Sequence, residues 1–193
     1  EAFQMARESL HVHGEKPILP PRSSTCWFAS NQRLYRRQKK RIGDVEKKIR
    51  AHQTASQKKA EPPVCDFDYM YREGIGKTDL VPCARALGLE WGGGSSKDIR
   101  IGPLMWLLDK YGPVWIAGKW NAASHVVVLV AARRAKVPMV NFIHPLIQFG
   151  GVQEIERPLD WLNRGRGPWG AYNASLMYTK KPRKQAKVGD YIE

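Results

Sequence analysis

Two residues in this sequence stand where a nucleophile and its base would stand, Cys26 and His125. Cys26 follows Arg22-Ser23-Ser24-Thr25, a run of hydroxyl side chains that signals a helix start, and precedes Trp27-Phe28-Ala29. In the first turn of a helix, unpaired backbone N–H groups and the helix dipole favour negative charge. Such a setting can draw a cysteine pKa from about 8.5 into the range of roughly 3.5–7.5. The plain alternative for any cysteine is a buried structural thiol, and Cys65 and Cys83, which lack this setting, are read that way. His125 opens an apolar run, Val126 to Ala132, directly after the polar stretch Asn121-Ala122-Ala123-Ser124. A histidine on an apolar strand is more often a satisfied core residue than a base, but at the open end of a strand the imidazole is accessible. A thiol on a helix start and an imidazole on a separate strand are the parts of nucleophilic catalysis, with acyl transfer as the reaction.

Other chemistry is excluded by what accompanies these two. There are three cysteines, no CxxC and no Cys/His cluster at ligand spacing, so neither zinc nor another cofactor has support. The odd cysteine count at irregular spacing suits a reducing compartment and leaves a Cys65–Cys83 bridge open. No apolar run reaches the length of a membrane span. The net charge of +14, with a pI near 9.9, would attract nucleic acid, an anionic membrane or an acidic protein, and a solvated charged face is the plain alternative. The chain begins at Glu1 without an initiator Met or a signal peptide, which is what an excised domain of a longer protein would show.

The elements that must position Cys26 and His125 follow from patterning. A helix is expected from residue 26 into the forties, with Phe28, Leu34 and Tyr35 toward the core. Its basic continuation (Arg36, Arg37, Lys39, Lys40, Arg41, Lys47, Lys48, Arg50) leads into a polar stretch, 52–63, read as a flexible loop. Together, about 37–63 form a basic insertion. A short helix is expected after Asp79, with Pro82 in its first turn. Ser95 or Ser96 should cap the next, which carries the stripe Ile101, Leu104, Met105, Leu107, Leu108 and Tyr111 before Gly112-Pro113. Strands follow at Val114–Gly118 and His125–Ala132, then a hairpin partner at Met139–Ile143. A helix over 157–164 and a closing strand, Ser175–Tyr178, complete the domain, 1–179, and a basic tail, 180–193, is expected to be disordered. Helices first and an antiparallel sheet second make the class α+β.

With these pieces in place, Thr25-Cys26-Trp27-Phe28-Ala29, Tyr111-Gly112-Pro113-Val114-Trp115-Ile116-Ala117 and Ser124-His125-Val126-Val127-Val128 resemble the papain-like cysteine peptidases. The likeness is greatest to bacterial effector and toxin proteases of that fold and to the double-glycine leader peptidases, and covers about residues 18–145. It implies a Cys-bearing helix packed on a His-bearing antiparallel sheet, and an Asn or Asp after the His, often before a proline. Asn141 stands sixteen residues after His125, whereas His144 is the residue before Pro145; Asn141 is the expected third member and His144 the alternative. Three apart, the two should face opposite sides of a regular strand. The family's Gln, an oxyanion donor about six residues before the Cys, is replaced by Pro20, which leaves the backbone N–H of Cys26 and an atypical donor from Ser23 or Ser24. Loss of one such donor can cost about 10²–10³ in rate. The resemblance implies a bacterial endopeptidase, secreted or delivered into a target cell as part of a larger protein, cleaving a protein or peptide after small residues such as Gly-Gly. An acidic immunity protein would be its partner. Deamidation or transglutamination by the same Cys-His pair, nucleic-acid binding through 36–50, and a catalytically silent scaffold are the alternatives.

Overall fold

In the computed structural model, the described residues are 9–11, 23–37, 44–93, 97–120, 123–144 and 153–180. The class is mixed α+β: helices predominate in the N-terminal half, and an antiparallel sheet of seven strands occupies mainly the C-terminal half. The elements are β1 (Ser9–His11), α1 (Cys26–Arg37), α2 (Asp44–His52), α3 (Ala55–Lys59), α4 (Phe67–Glu73), α5 (Leu80–Leu87) and β2 (Leu89–Gly93). They continue with α6 (Ile101–Tyr111), β3 (Val114–Trp120), β4 (Ala123–Arg133), β5 (Met139–His144), β6 (Gln153–Pro158), α7 (Leu159–Gly170) and β7 (Asn173–Thr179). The sheet order is β2-β7-β3-β4-β5-β6, with β1 laid against the far end of β4 at Ala131 to Arg133.

Alternation along the central strands divides the core in two. Trp115, Ala117 and Val126 pack with Cys26, Trp27, Leu34, Met70 and Leu87 in one layer, and Val114, Ile116, Val127 and Leu129 pack with Leu104, Leu108 and Leu162 in the other. Because both faces are covered, β3 and β4 read as nearly unbroken apolar runs. In the second layer Trp120 stacks on Trp161, and Trp161 on Phe142, with ring centroids 5.4 and 4.8 Å apart. The Trp120 indole lies against Gly118 and Gly165, where any side chain would collide with it.

Several expectations are corrected. The first helix ends at Arg37 among the described residues, and a separate helix, α2, starts at Asp44; residues 38–43 lie outside the described set. The supposed loop insertion is largely helical. Val45 and Ile49, four apart, are both fully buried, and Thr54 caps α3 in a reciprocal arrangement with Gln57. The high Lys and Arg content masked that stripe and that Thr-x-x-Gln motif. α6 starts at Ile101 with Arg100 at its cap position rather than a serine, and Ser95 and Ser96 lie outside the described residues. Pro103, in the first turn of α6, is compatible with that start, since its missing N–H would be unpaired there anyway. The closing strand, β7, forms and lies between β2 and β3, and the helix expected over 157–164 starts at Leu159 and runs on through Pro168 to Gly170. Of the tail, 181–193 lie outside the described residues.

Candidate active site

Cys26 is the first residue of α1, preceded by a 3₁₀ turn at Ser23–Thr25. Two flanking side chains fix it to the end of α4. Trp27 Nε1 donates to the carbonyl of Met70 at 3.0 Å, and Ser24 Oγ donates to the carbonyl of Tyr71 at 3.0 Å. Gly74 caps the same turn by donating its N–H to Met70. Trp27, Phe28, Phe67 and Tyr71 then pack edge to face and stacked, so α1 and α4 meet through aromatic rings.

The result is a cavity of about 120 Å³ lined by Cys26, Ser24, Ser124, His125, Val126, Trp169 and the segment Glu73-Gly74-Ile75. His125 reaches it from the open end of β4, where its backbone pairs with Gly118. Alternation alone would put His125 with Val127, on the face away from α1; the cavity gathers it because it lies at the end of the strand. The far wall is held by a buried carboxylate. Asp79 Oδ1 accepts from the N–H of Cys65 and Oδ2 from the N–H of Gly76, each at 2.7 Å, tying the Gly74–Gly76 segment to the core. Burial pushes the Asp79 carboxyl up, against the lowering effect of those two N–H donors.

The electrostatics of Cys26 differ from the sequence expectation. The residue is only 7% exposed, and burial pushes its thiol up to about 11; the backbone N–H groups of Val126, Trp27 and Cys26 itself pull the other way. The helix start supplies the anticipated donors, but desolvation outweighs them. At neutral pH the sulfur therefore rests as a thiol, and a base must remove its proton when it reacts. The same backbone N–H groups, which favour negative charge beside the sulfur, can serve an adjacent oxyanion.

The sequence-predicted residues are distributed as follows. Cys26 and His125 are brought together. Cys65 and Cys83 are free and buried in the core beside Asp79, without a bridge, and desolvation raises both thiols. Asn141 is not brought to His125. Its backbone pairs with Ala131, six residues further along β4, roughly 20 Å away at strand spacing, and its Nδ2 donates to Glu154 Oε1 at 3.0 Å. Equal loop spacing misled here, since a bulge between Leu129 and Ala131 and the hairpin register carry Asn141 to the wrong end. His144 pairs with Gln153, next to Ile143, which pairs with Val128; its backbone is nearer His125, and its side chain lies outside the described residues. Ser24 cannot be the atypical oxyanion donor as placed, since its only hydroxyl proton goes to Tyr71. Pro20 lies outside the described residues. Glu73, Gly74, Ile75 and Trp169 were missed; they come from distant segments, and only the glycine after a helix was a visible signal. Among the described residues no cluster of His, Cys, Asp or Glu could hold a metal, and no helix is long and apolar enough to cross a membrane.

Residues 7–148 match the family described as papain-like cysteine protease AvrRpt2. Comparison with curated proteins and with solved structures returned no match.

Proposed function

Since the chain belongs to the AvrRpt2 family of papain-like cysteine proteases, we propose that it is a bacterial effector endopeptidase in which His125 activates Cys26. The observation that carries this reading is the cavity lined by both Cys26 and His125. His125 takes the Sγ proton as the sulfur attacks the scissile carbonyl carbon, and the C=O electrons move onto oxygen. The N–H groups of Cys26 and Trp27, at the start of α1, are placed to receive that charge. His125 then passes the proton to the leaving nitrogen as the C–N bond breaks, leaving a thioester. Water, deprotonated by His125, attacks the thioester; the C–S bond breaks and the proton returns to sulfur.

With Asn141 placed elsewhere, His144 is the remaining member of the original pair for holding the His125 ring in the useful tautomer. The small cavity suits a small residue before the scissile bond, which makes Gly-Gly peptides the first substrates to compare with Leu-Arg peptides. Delivery into a target cell from a larger protein fits the family, and an acidic immunity protein fits the net charge of +14.

Purified parent, Cys26→Ala and His125→Ala proteins, incubated with such peptides and with cell extract, test the assignment by mass spectrometry. Both variants should lose at least about a thousand-fold in cleavage. Retained cleavage in either would overturn the dyad. A gain of about one dalton with the chain intact would point to deamidation by the same pair. The nucleic-acid reading loses ground in α2, where Arg50 is spent on Glu46 and Asp68 and also lies over Phe67.

A further inference from the structure

Glu73 occupies the rim of the Cys26 cavity as the last residue of α4. Helix electrostatics argue against a carboxylate there, because a helix C-terminus already carries partial negative charge and is stabilised by cations. Arg72 supplies a cation to the same turn, but among the described residues Glu73 itself enters no ion pair, on a chain with 32 Lys and Arg against 18 Asp and Glu. The next cation further along the chain, Lys77, is held at the end of α7 and in the turn that follows it. Its Nζ lies 4.5 Å over the Tyr172 ring and 5.8 Å over the Trp169 ring, and it donates to Tyr172 Oη at 3.2 Å. A residue placed against a local rule, exposed and at the mouth of a reactive cavity, is what a functional constraint leaves behind. Gly74 beside it, which also lines the cavity, has a φ of +97°, a conformation side chains rarely adopt, so the chain can turn there directly after Glu73.

We propose that Glu73 forms a rim subsite that takes a cationic side chain, Lys or Arg, of the peptide substrate. The proposal rests on the endopeptidase reading. The cavity holds the small residue at the scissile carbonyl, and a side chain further along the peptide emerges at the rim. There a guanidinium or ammonium meets an exposed carboxylate whose negative potential the α4 terminus reinforces, a contact open to solvent and to salt.

Acetyl-X-Gly-Gly chloromethyl ketones with X as Arg, Gln or Glu, reacted with the parent, Glu73→Gln and Glu73→Lys, test it by the rate of mass gain at Cys26. The parent should react with the Arg probe about three- to tenfold faster than with the Gln probe, and slowest with the Glu probe. Glu73→Gln should level the series and Glu73→Lys invert it, and raised salt should shrink the parent's preference. Equal rates across the probes in the parent, or the same order in all three proteins, would overturn the subsite. Iodoacetamide separates the two failures. If its reaction with Cys26 depends on His125 while the probes react alike, the subsite alone falls; if it does not, the endopeptidase reading falls and the subsite with it. Unchanged melting temperatures in the two variants would confirm that the exposed residue was replaced without loss of fold.

Discussion

Burial and the backbone N–H groups pull on the Cys26 sulfur in opposite directions, and burial prevails, leaving the thiol near 11. The ordinary value is 9.0, so the folded chain prefers the neutral thiol and loses stability as pH rises from about 9 to 11. The loss amounts to roughly 2–3 kcal/mol and should be absent from Cys26→Ser when alkaline unfolding curves are compared. Reactivity carries the same signature. In His125→Ala, the alkylation rate at Cys26 should climb about tenfold per pH unit toward 11, as the thiolate fraction does. The parent should show an additional shoulder near neutral pH, where a neutral imidazole can accept the proton. Coincident profiles would remove His125 from the reaction. Trp27 matters at this scale through position. Trp27→Phe keeps an aromatic ring but removes the side-chain donor to Met70, whose carbonyl keeps the Gly74 N–H, and should cost about 0.5–1.5 kcal/mol in denaturant unfolding for the lost hydrogen bond.

At the level of elements, the cavity is a meeting of ends: the start of α1, the start of β4, the end of α4 and the end of α7. Asp79 secures one of them. Asp79→Ala strands the N–H groups of Cys65 and Gly76 and frees the wall that carries Glu73 to Ile75, so it should lower stability by about 2–4 kcal/mol and raise KM as well. Because burial raises the Asp79 carboxyl above 3.8, its contribution falls as pH rises through the native value; Asp79→Asn should lack that slope in unfolding measured from pH 3.5 upward. α7 is secured by Trp120. Gly165→Ala would drive a methyl group into the indole and should cost about 1–3 kcal/mol, whereas Gly167→Ala, which meets open space, should be neutral or slightly stabilising in a thermal melt. The sequence exposed much of this frame. The Ser-Ser-Thr run before Cys26, the stripe of α6 and the apolar runs of β3 and β4 each carry a local signal of capping or period. Glu73 and Trp169 carry none, because their role arises from where two helices end in space. Asn141 failed for the complementary reason: separation in sequence does not encode the bulge and register that set which residues of a hairpin lie opposite.

For the whole molecule, the question is what a surface of charge +14 does around an acidic rim. The ion pairs Arg133 to Glu156, Arg164 to Asp160 and Lys180 to Glu90 are exposed, and since each pair takes one charge of either sign, pairing leaves the net excess of +14 for a partner. Field from such an excess raises association rates with an acidic protein and fades with ionic strength, since the screening length is about 10 Å at 0.1 M salt and about 3 Å at 1 M. An acidic inhibitor that lands on this surface and covers the cavity would therefore bind fast at low salt. Its acidic groups would meet repulsion from Glu73 at the rim, so it should seat its own cation or neutral residues there. The expected result, with an acidic protein encoded beside the gene, is protection of Cys26 from alkylation in 50 mM salt, with the association rate falling at least about tenfold by 500 mM. Glu73→Lys should weaken the fit of a partner that presents a cation at the rim while leaving the salt dependence of the rate nearly unchanged. Protection indifferent to salt would mean that apolar burial recruits the partner, and competition by DNA at the same low salt would assign the basic surface to nucleic acid instead.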